Sequence, residues 1–123
     1  MNIANNNGNF VYDSWNEIEN LIRQGSRNPF DDIWLSGNDE YPCLSILVNG
    51  KYACVHYFLN DQGDMWQSVG YGDMNIEFMS NNDYSTLAHM PANAVVSMET
   101  ALKCARQFYE TGNQPNSIEW REL

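Results

Sequence analysis

With 123 residues, the chain is long enough to bury a core as one domain and too short for two full ones. Apolar residues make up 43% of it and aromatics 13%, which argues against disorder despite a mean hydropathy of −0.52. Six basic residues against sixteen acidic ones leave a formal charge of −10; such a surface repels phosphate backbones and anionic lipid and attracts a basic partner, although acidity also serves plain solubility.

Residues 1–9, MNIANNNGN, read as a flexible Asn-rich tail, with a single folded domain over 10–123. The start lacks the basic residues and apolar core of a signal peptide, and no apolar run approaches the ~18 residues of a membrane span, so a cytoplasmic protein is expected. In SWNEIENLIRQG, Ser14 and Glu17 stand at capping-box spacing and Trp15, Ile18, Leu21 and Ile22 share one side. This predicts an amphipathic helix, stopped at Gly25, with Glu17 and Glu19 facing water.

Asn28 and Pro29 break the chain, and DIWLS over Asp32–Ser36 predicts a short strand. In CLSILVNGKYACVHYFL two β-rich runs flank Asn49-Gly50, a dipeptide suited to a type I′ hairpin turn. Both arms are nearly continuous in apolar residues, which places them mid-sheet, with helices on one face and the other face largely covered. Asn60–Asp64 reads as a turn, Met65–Tyr71 and Asn75–Met79 as strands, and Gly70 and Gly72 as a bulge or bend between them. Ser80–Asn93 reads as the longest irregular segment, of the kind that often carries function.

Val95 and Val96 end an extended run, Ser97 is placed to cap, and Met98, Ala101, Leu102, Ala105 and Phe108 fall on one helical face. Gly112 follows as the stop and Pro115 prevents resumption. Ile118 and Trp120 then alternate with Glu119 and Arg121, predicting a short final strand. The order helix, strands, helix, strand predicts an α+β fold: a predominantly antiparallel β-sheet packed on one side by two helices.

Reactive groups are sparse. Cys43, Cys54 and Cys104 have no CxxC spacing and lie in apolar runs, so they read as buried reduced thiols. His56 alternates with aromatics on a strand, and His89 lies in STLAHMPAN without a ligand neighbour at metal spacing. A Cys54/His56 pair shares a strand face but makes no nucleophile elbow, and there is no GxSxG, GxxxxGK[ST] or HExxH. The carboxylate pairs Asp31/Asp32, Asp39/Glu40 and Asp61/Asp64 match neither glycosidase nor calcium-loop patterns. No catalytic, cofactor-binding or metal-binding residues are expected. What stands out is a mixture of acids and aromatics in loops and outer strands: Asp61, Asp64, Trp66, Tyr71, Asp73, Glu77, Asp83 and Tyr84. Rings supply buried area and charge steers encounter, which suits an interface with a basic protein; equally, Trp66 and Tyr71 could face the core while the acids solvate an edge.

The segment VVSMETALKCARQFYETGNQPNSIEW resembles the C-terminal hallmark of the Imm1 family of immunity proteins, in Val95, Val96, Ala101, Ala105, Phe108, Thr111, Gly112, Pro115, Ile118 and Trp120. LSILVNGKYACVHYF resembles that family's central hairpin, and the likeness runs from about Ser14 to Leu123. The end of the chain is similar to immunity proteins that guard bacteria against double-stranded-DNA cytidine deaminase toxins. The resemblance implies a stoichiometric inhibitor, not an enzyme, that binds a cognate deaminase or nuclease toxin in a 1:1 complex and blocks its active site or substrate path. Its carboxylates would stand where phosphates bind on a basic toxin, with no direct nucleic-acid or membrane contact. The rival readings are an acidic nucleic-acid mimic regulating a housekeeping DNA-binding protein, and a small enzyme using His56 or Cys54.

Overall fold

The computed structural model describes residues 1–25, 30–79 and 86–123. In chain order they form strands β1 (Asn2–Asn5) and β2 (Gly8–Val11), helix α1 (Trp15–Gly25), and strands β3 (Phe30–Ser36), β4 (Cys43–Asn49), β5 (Tyr52–Phe58), β6 (Met65–Ser68), β7 (Ile76–Phe78) and β8 (Ala88–Met90). A 3-10 turn (Ala92–Ala94), strand β9 (Val96–Ser97), helix α2 (Met98–Thr111) and strand β10 (Trp120–Glu122) complete the described chain. The main sheet has eight strands in the order β10-β6-β5-β4-β3-β1-β2, with β9 added to β5, and every pairing is antiparallel. This is the expected α+β arrangement, with β4 and β5 at its centre.

The alternation along the central strands fixes which side is core. Ile33, Leu35, Leu44, Ile46, Val48 and Val55 point to one face and form a single buried cluster with Ile18 and Ile22 of α1 and Ala101, Ala105 and Phe108 of α2. Two alanines on α2 leave little between helix and sheet, so the backbone of α2 can approach closely. The opposite face is covered in part. β7 and β8 form a separate ribbon, and Ile76 and Phe78 bury Cys54, Leu47 and Tyr52 beneath it. Elsewhere on that face Trp34 stacks on Phe58 at 5.4 Å and stays partly exposed.

Both helices begin, and α2 ends, as their caps dictate. Ser14 Oγ accepts from Glu17 N at 3.3 Å at the start of α1, and Ser97 Oγ accepts from Thr100 N at 3.1 Å at the start of α2. Gly112, at φ 68°, closes α2 by donating its N–H to Phe108 O at 2.8 Å. α1 runs to Gly25, the expected stop, and this glycine lies against Asp31, where a Cβ would stand 1.9 Å from Oδ2. Asp31 is only 2% exposed, and its Oδ1 accepts from Asn6 N at 3.1 Å and Asp32 N at 2.9 Å.

Several boundaries differ from the sequence reading. The expected tail over 1–9 is a hairpin: β1 pairs with both β2 and β3, Ile3 is buried against Leu35, and the two-residue loop is Asn6-Asn7. Asparagine there is turn chemistry, since its side chain bonds nearby backbone: Asn5 Oδ1 accepts from Asn7 N at 2.8 Å. The central hairpin turns one residue later than expected. Asn49 pairs with Tyr52, so Gly50, at φ 58°, and Lys51 form the loop, and the Asn49 side chain donates to Glu77 O at 2.8 Å.

The expected strand Met65–Tyr71 stops at Ser68 because the Ser68 hydroxyl intrudes on the ladder, accepting from Val55 N at 3.0 Å and donating to Ala94 O at 2.7 Å. The expected strand Asn75–Met79 shortens to β7. The segment read as irregular, Ser80–Asn93, contains β8 and most of the 3-10 turn, with 80–85 outside the described residues.

Candidate functional site

Four chain segments converge where β5 begins and α2 starts. The Met98 N–H donates to Lys51 O at 2.9 Å, tying the start of α2 to the central hairpin turn. After Ser68 the chain crosses behind β9, with Gly70 N donating to Asn93 O at 2.8 Å and Val69 N to Glu119 O at 3.0 Å. Gly70 is required by contact and not by conformation: a Cβ there would stand 1.7 Å from Val95 O. The result is a groove of about 710 Å³ between the Val69–Met74 segment, the start of α2 and the Ile118–Glu119 approach to β10.

Its floor is apolar, from Val69, Val96, Met98 and Ile118, and its rim is polar. Tyr71 stands 79% exposed, and its hydroxyl donates to a Glu119 carboxylate oxygen across the mouth. That acceptor holds the phenol above its usual range, so it stays a protonated donor. Asp73 and Glu119 have no ion-pair partner among the described residues. Glu99, also on the rim, is engaged by Arg23 at 2.9 Å, which in turn meets Glu19 at 2.8 Å; the guanidinium holds the Glu99 carboxyl below its usual range. Lys51 lies 5.4 Å from the centre of the Tyr52 ring.

The other residues of the acid and aromatic set fall in different places. Glu77 is on β7, exposed, 3.2 Å from Nδ1 of His89 on β8. Asp61 and Asp64 sit in the β5–β6 turn beyond Phe58, at the opposite end of β5 from Lys51; Asn60 Nδ2 donates to Asp64 Oδ2 at 2.8 Å and Gly63 takes φ 92°. Trp66 points to the helix side, tilted against Tyr57 at 5.9 Å, and packs on the main core. Asp83 and Tyr84 lie outside the described residues. Thus Tyr71 and Asp73 share the groove, and Glu119, Met74 and Ile118 join them from segments whose sequence carries no signal for binding. Their convergence depends on β10 pairing with β6, which no local spacing announces.

The thiols and His56 are internal, whereas His89 is exposed. Burial pushes the Cys43, Cys54 and Cys104 thiols up to about 11, so all three are protonated and inert at neutral pH, as expected for core cysteines. His56 is buried, with Nε2 3.0 Å from Gln67 Oε1, and burial lowers its pKa despite the raising effects of Gln67 and Asp32. Among the described residues, no group of three His, Cys, Asp or Glu side chains is placed to hold a metal.

This histidine carries a pH signature. Its folded value lies below the ~6.5 of a free imidazole, so between those two values the unfolded chain binds more protons and stability rises with pH. Lowering pH from about 7 to about 5.5 should therefore destabilise the protein, and His56→Gln should flatten that part of the dependence. Urea midpoints against pH for both proteins check this; parallel curves would show that His56 is not responsible.

A family model described as immunity protein Imm1 matches residues 6–122. A double-stranded DNA deaminase immunity protein from Burkholderia cenocepacia (strain H111) is 27% identical over 112 residues, covering 87% of this chain and 89% of the relative.

Proposed function

Because this chain belongs to the Imm1 family of immunity proteins, we propose that it binds and neutralises a cognate toxin that deaminates double-stranded DNA. As an immunity protein it is a binder and not an enzyme, consistent with its buried thiols and its buried histidine. The observation that carries the choice of toxin is the likeness, spread over nearly the whole chain, to an immunity protein named for a double-stranded DNA deaminase. A toxin acting on that substrate needs a basic cleft, and a chain of formal charge −10 is electrostatically complementary to it.

In this reading one copy meets one toxin and closes its active site or substrate path, with carboxylates where phosphates would lie. Tyr71 and Asp73 line the groove where β5 begins, Glu77 lies near the same hairpin turn, where its carbonyl accepts from Asn49, and Asp61 and Asp64 form a second acidic cluster that steers approach. Trp66 supports the scaffold from within. Because the toxin's substrate is intracellular DNA, the complex forms in the cytoplasm.

Co-expression with a double-stranded-DNA deaminase toxin domain from the same genome tests this. Survival together with a co-purifying 1:1 complex is expected. Undiminished toxicity, with soluble folded protein and no complex, would overturn the proposal, and capture of a housekeeping DNA-binding protein instead would point to a regulator.

A further inference from the structure

We propose that the groove beside Tyr71 is the slot for an arginine-bearing loop of the toxin, with the guanidinium between Glu119 and Asp73 against the Tyr71 ring. This rests on the immunity reading above. Three features of the groove select that occupant.

The first is shape: about 710 Å³ is the scale of a site that engulfs several side-chain groups, and its floor of Val69, Val96, Met98 and Ile118 suits aliphatic stems. The second is charge. Glu99 is already engaged by Arg23, but Asp73 and Glu119 have no basic partner among the described residues, so a cation entering the groove meets two available carboxylates. The third is the exposed ring. A flat guanidinium can stack on Tyr71 while bonding a carboxylate in bidentate fashion, which a lysine ammonium cannot do.

An anion is the competing occupant, since the start of α2 and Lys51 both border the groove. Yet two of the first helical N–H groups are engaged, Met98 N with Lys51 O and Thr100 N with Ser97 Oγ. The remaining carboxylates then decide the sign. The Tyr71–Glu119 hydrogen bond holds ring and carboxylate together across the mouth before any partner arrives, which limits the ordering that binding requires.

The test is titration of a purified double-stranded-DNA deaminase toxin domain from the same genome with four proteins: the native chain, Tyr71→Ala, the pair Asp73→Asn/Glu119→Gln, and the pair Asp39→Asn/Glu40→Gln. The last removes the same charge from the exposed β3–β4 loop, at the other end of the sheet. Tyr71→Ala should raise Kd about 30-fold or more, as loss of a central aromatic anchor does. The groove charge pair should raise it about 10-fold and weaken its salt dependence, with the control pair within about 3-fold. All changed side chains are exposed, so thermal melting should stay near that of the native chain.

Native affinity in both groove variants, with the native chain still binding, would overturn the slot and leave the immunity reading standing. Equal losses in the groove and control pairs would also overturn it, in favour of diffuse acidic attraction. No binding by the native chain would remove both proposals together.

Discussion

Replacing Phe108 by alanine should lower stability by ~4 kcal/mol, seen as a fall of roughly 15 °C in melting temperature. Phe108 is 1% exposed on α2, and its ring meets Tyr57 edge-on at 6.3 Å, inside the cluster that joins both helices to β3, β4 and β5. Neither side of that cavity can close easily. Tyr57 is held by Trp66 and Trp120 as well, and the neighbouring turns of α2 present alanine to the sheet. Phe108→Leu, which keeps most of the volume, should cost less than half as much. Denaturant titration of the three proteins measures this, and equal losses for alanine and leucine would show that volume is not what Phe108 supplies.

Gly70→Val should cost ~3 kcal/mol, lower the melting temperature by roughly 10 °C, and weaken toxin binding as well. The obstruction is backbone: the Val95 carbonyl would lie 1.7 Å from the new Cβ, and moving it disturbs β9 where it joins β5. The alternative is for the Val69–Met74 segment to lift, losing the bond from Gly70 N to Asn93 O and opening one wall of the groove. Gly72→Ala is the comparison, since nothing lies within 4 Å of its Cβ position and its stability should barely change. A Gly70→Val protein that melted like the Gly72→Ala one would refute the close approach.

The helices and the central hairpin were legible because local chemistry agreed with tertiary demand. Ser97, the apolar stripe and Gly112 define α2 within its own residues, and Ser14 with Glu17 does the same for the start of α1. The first hairpin was missed because its asparagines serve as turn formers and its burial rests on Ile3, too weak a pattern for a strand to announce itself. Ser68 ended β6 through hydrogen bonds to Val55 and Ala94, partners distant in sequence. In the groove, Tyr71 and Asp73 stood out as an aromatic among acids. Glu119 did not, because on a half-buried strand an alternating glutamate is the ordinary solvent-facing residue, and only the β6–β10 pairing brings it to Tyr71.

That groove is assembled from residues scattered between Lys51 and Glu119, and this sets when it can form. During synthesis the central hairpin and its neighbours can form as soon as they leave the ribosome, since their contacts are local. The wall at Ile118–Glu119 is the last to emerge, and it must then travel back to pair beside β6. The groove therefore takes shape only once the Ile118–Glu119 segment has docked beside Val69 and Tyr71, a step that follows the local pairing of the hairpin.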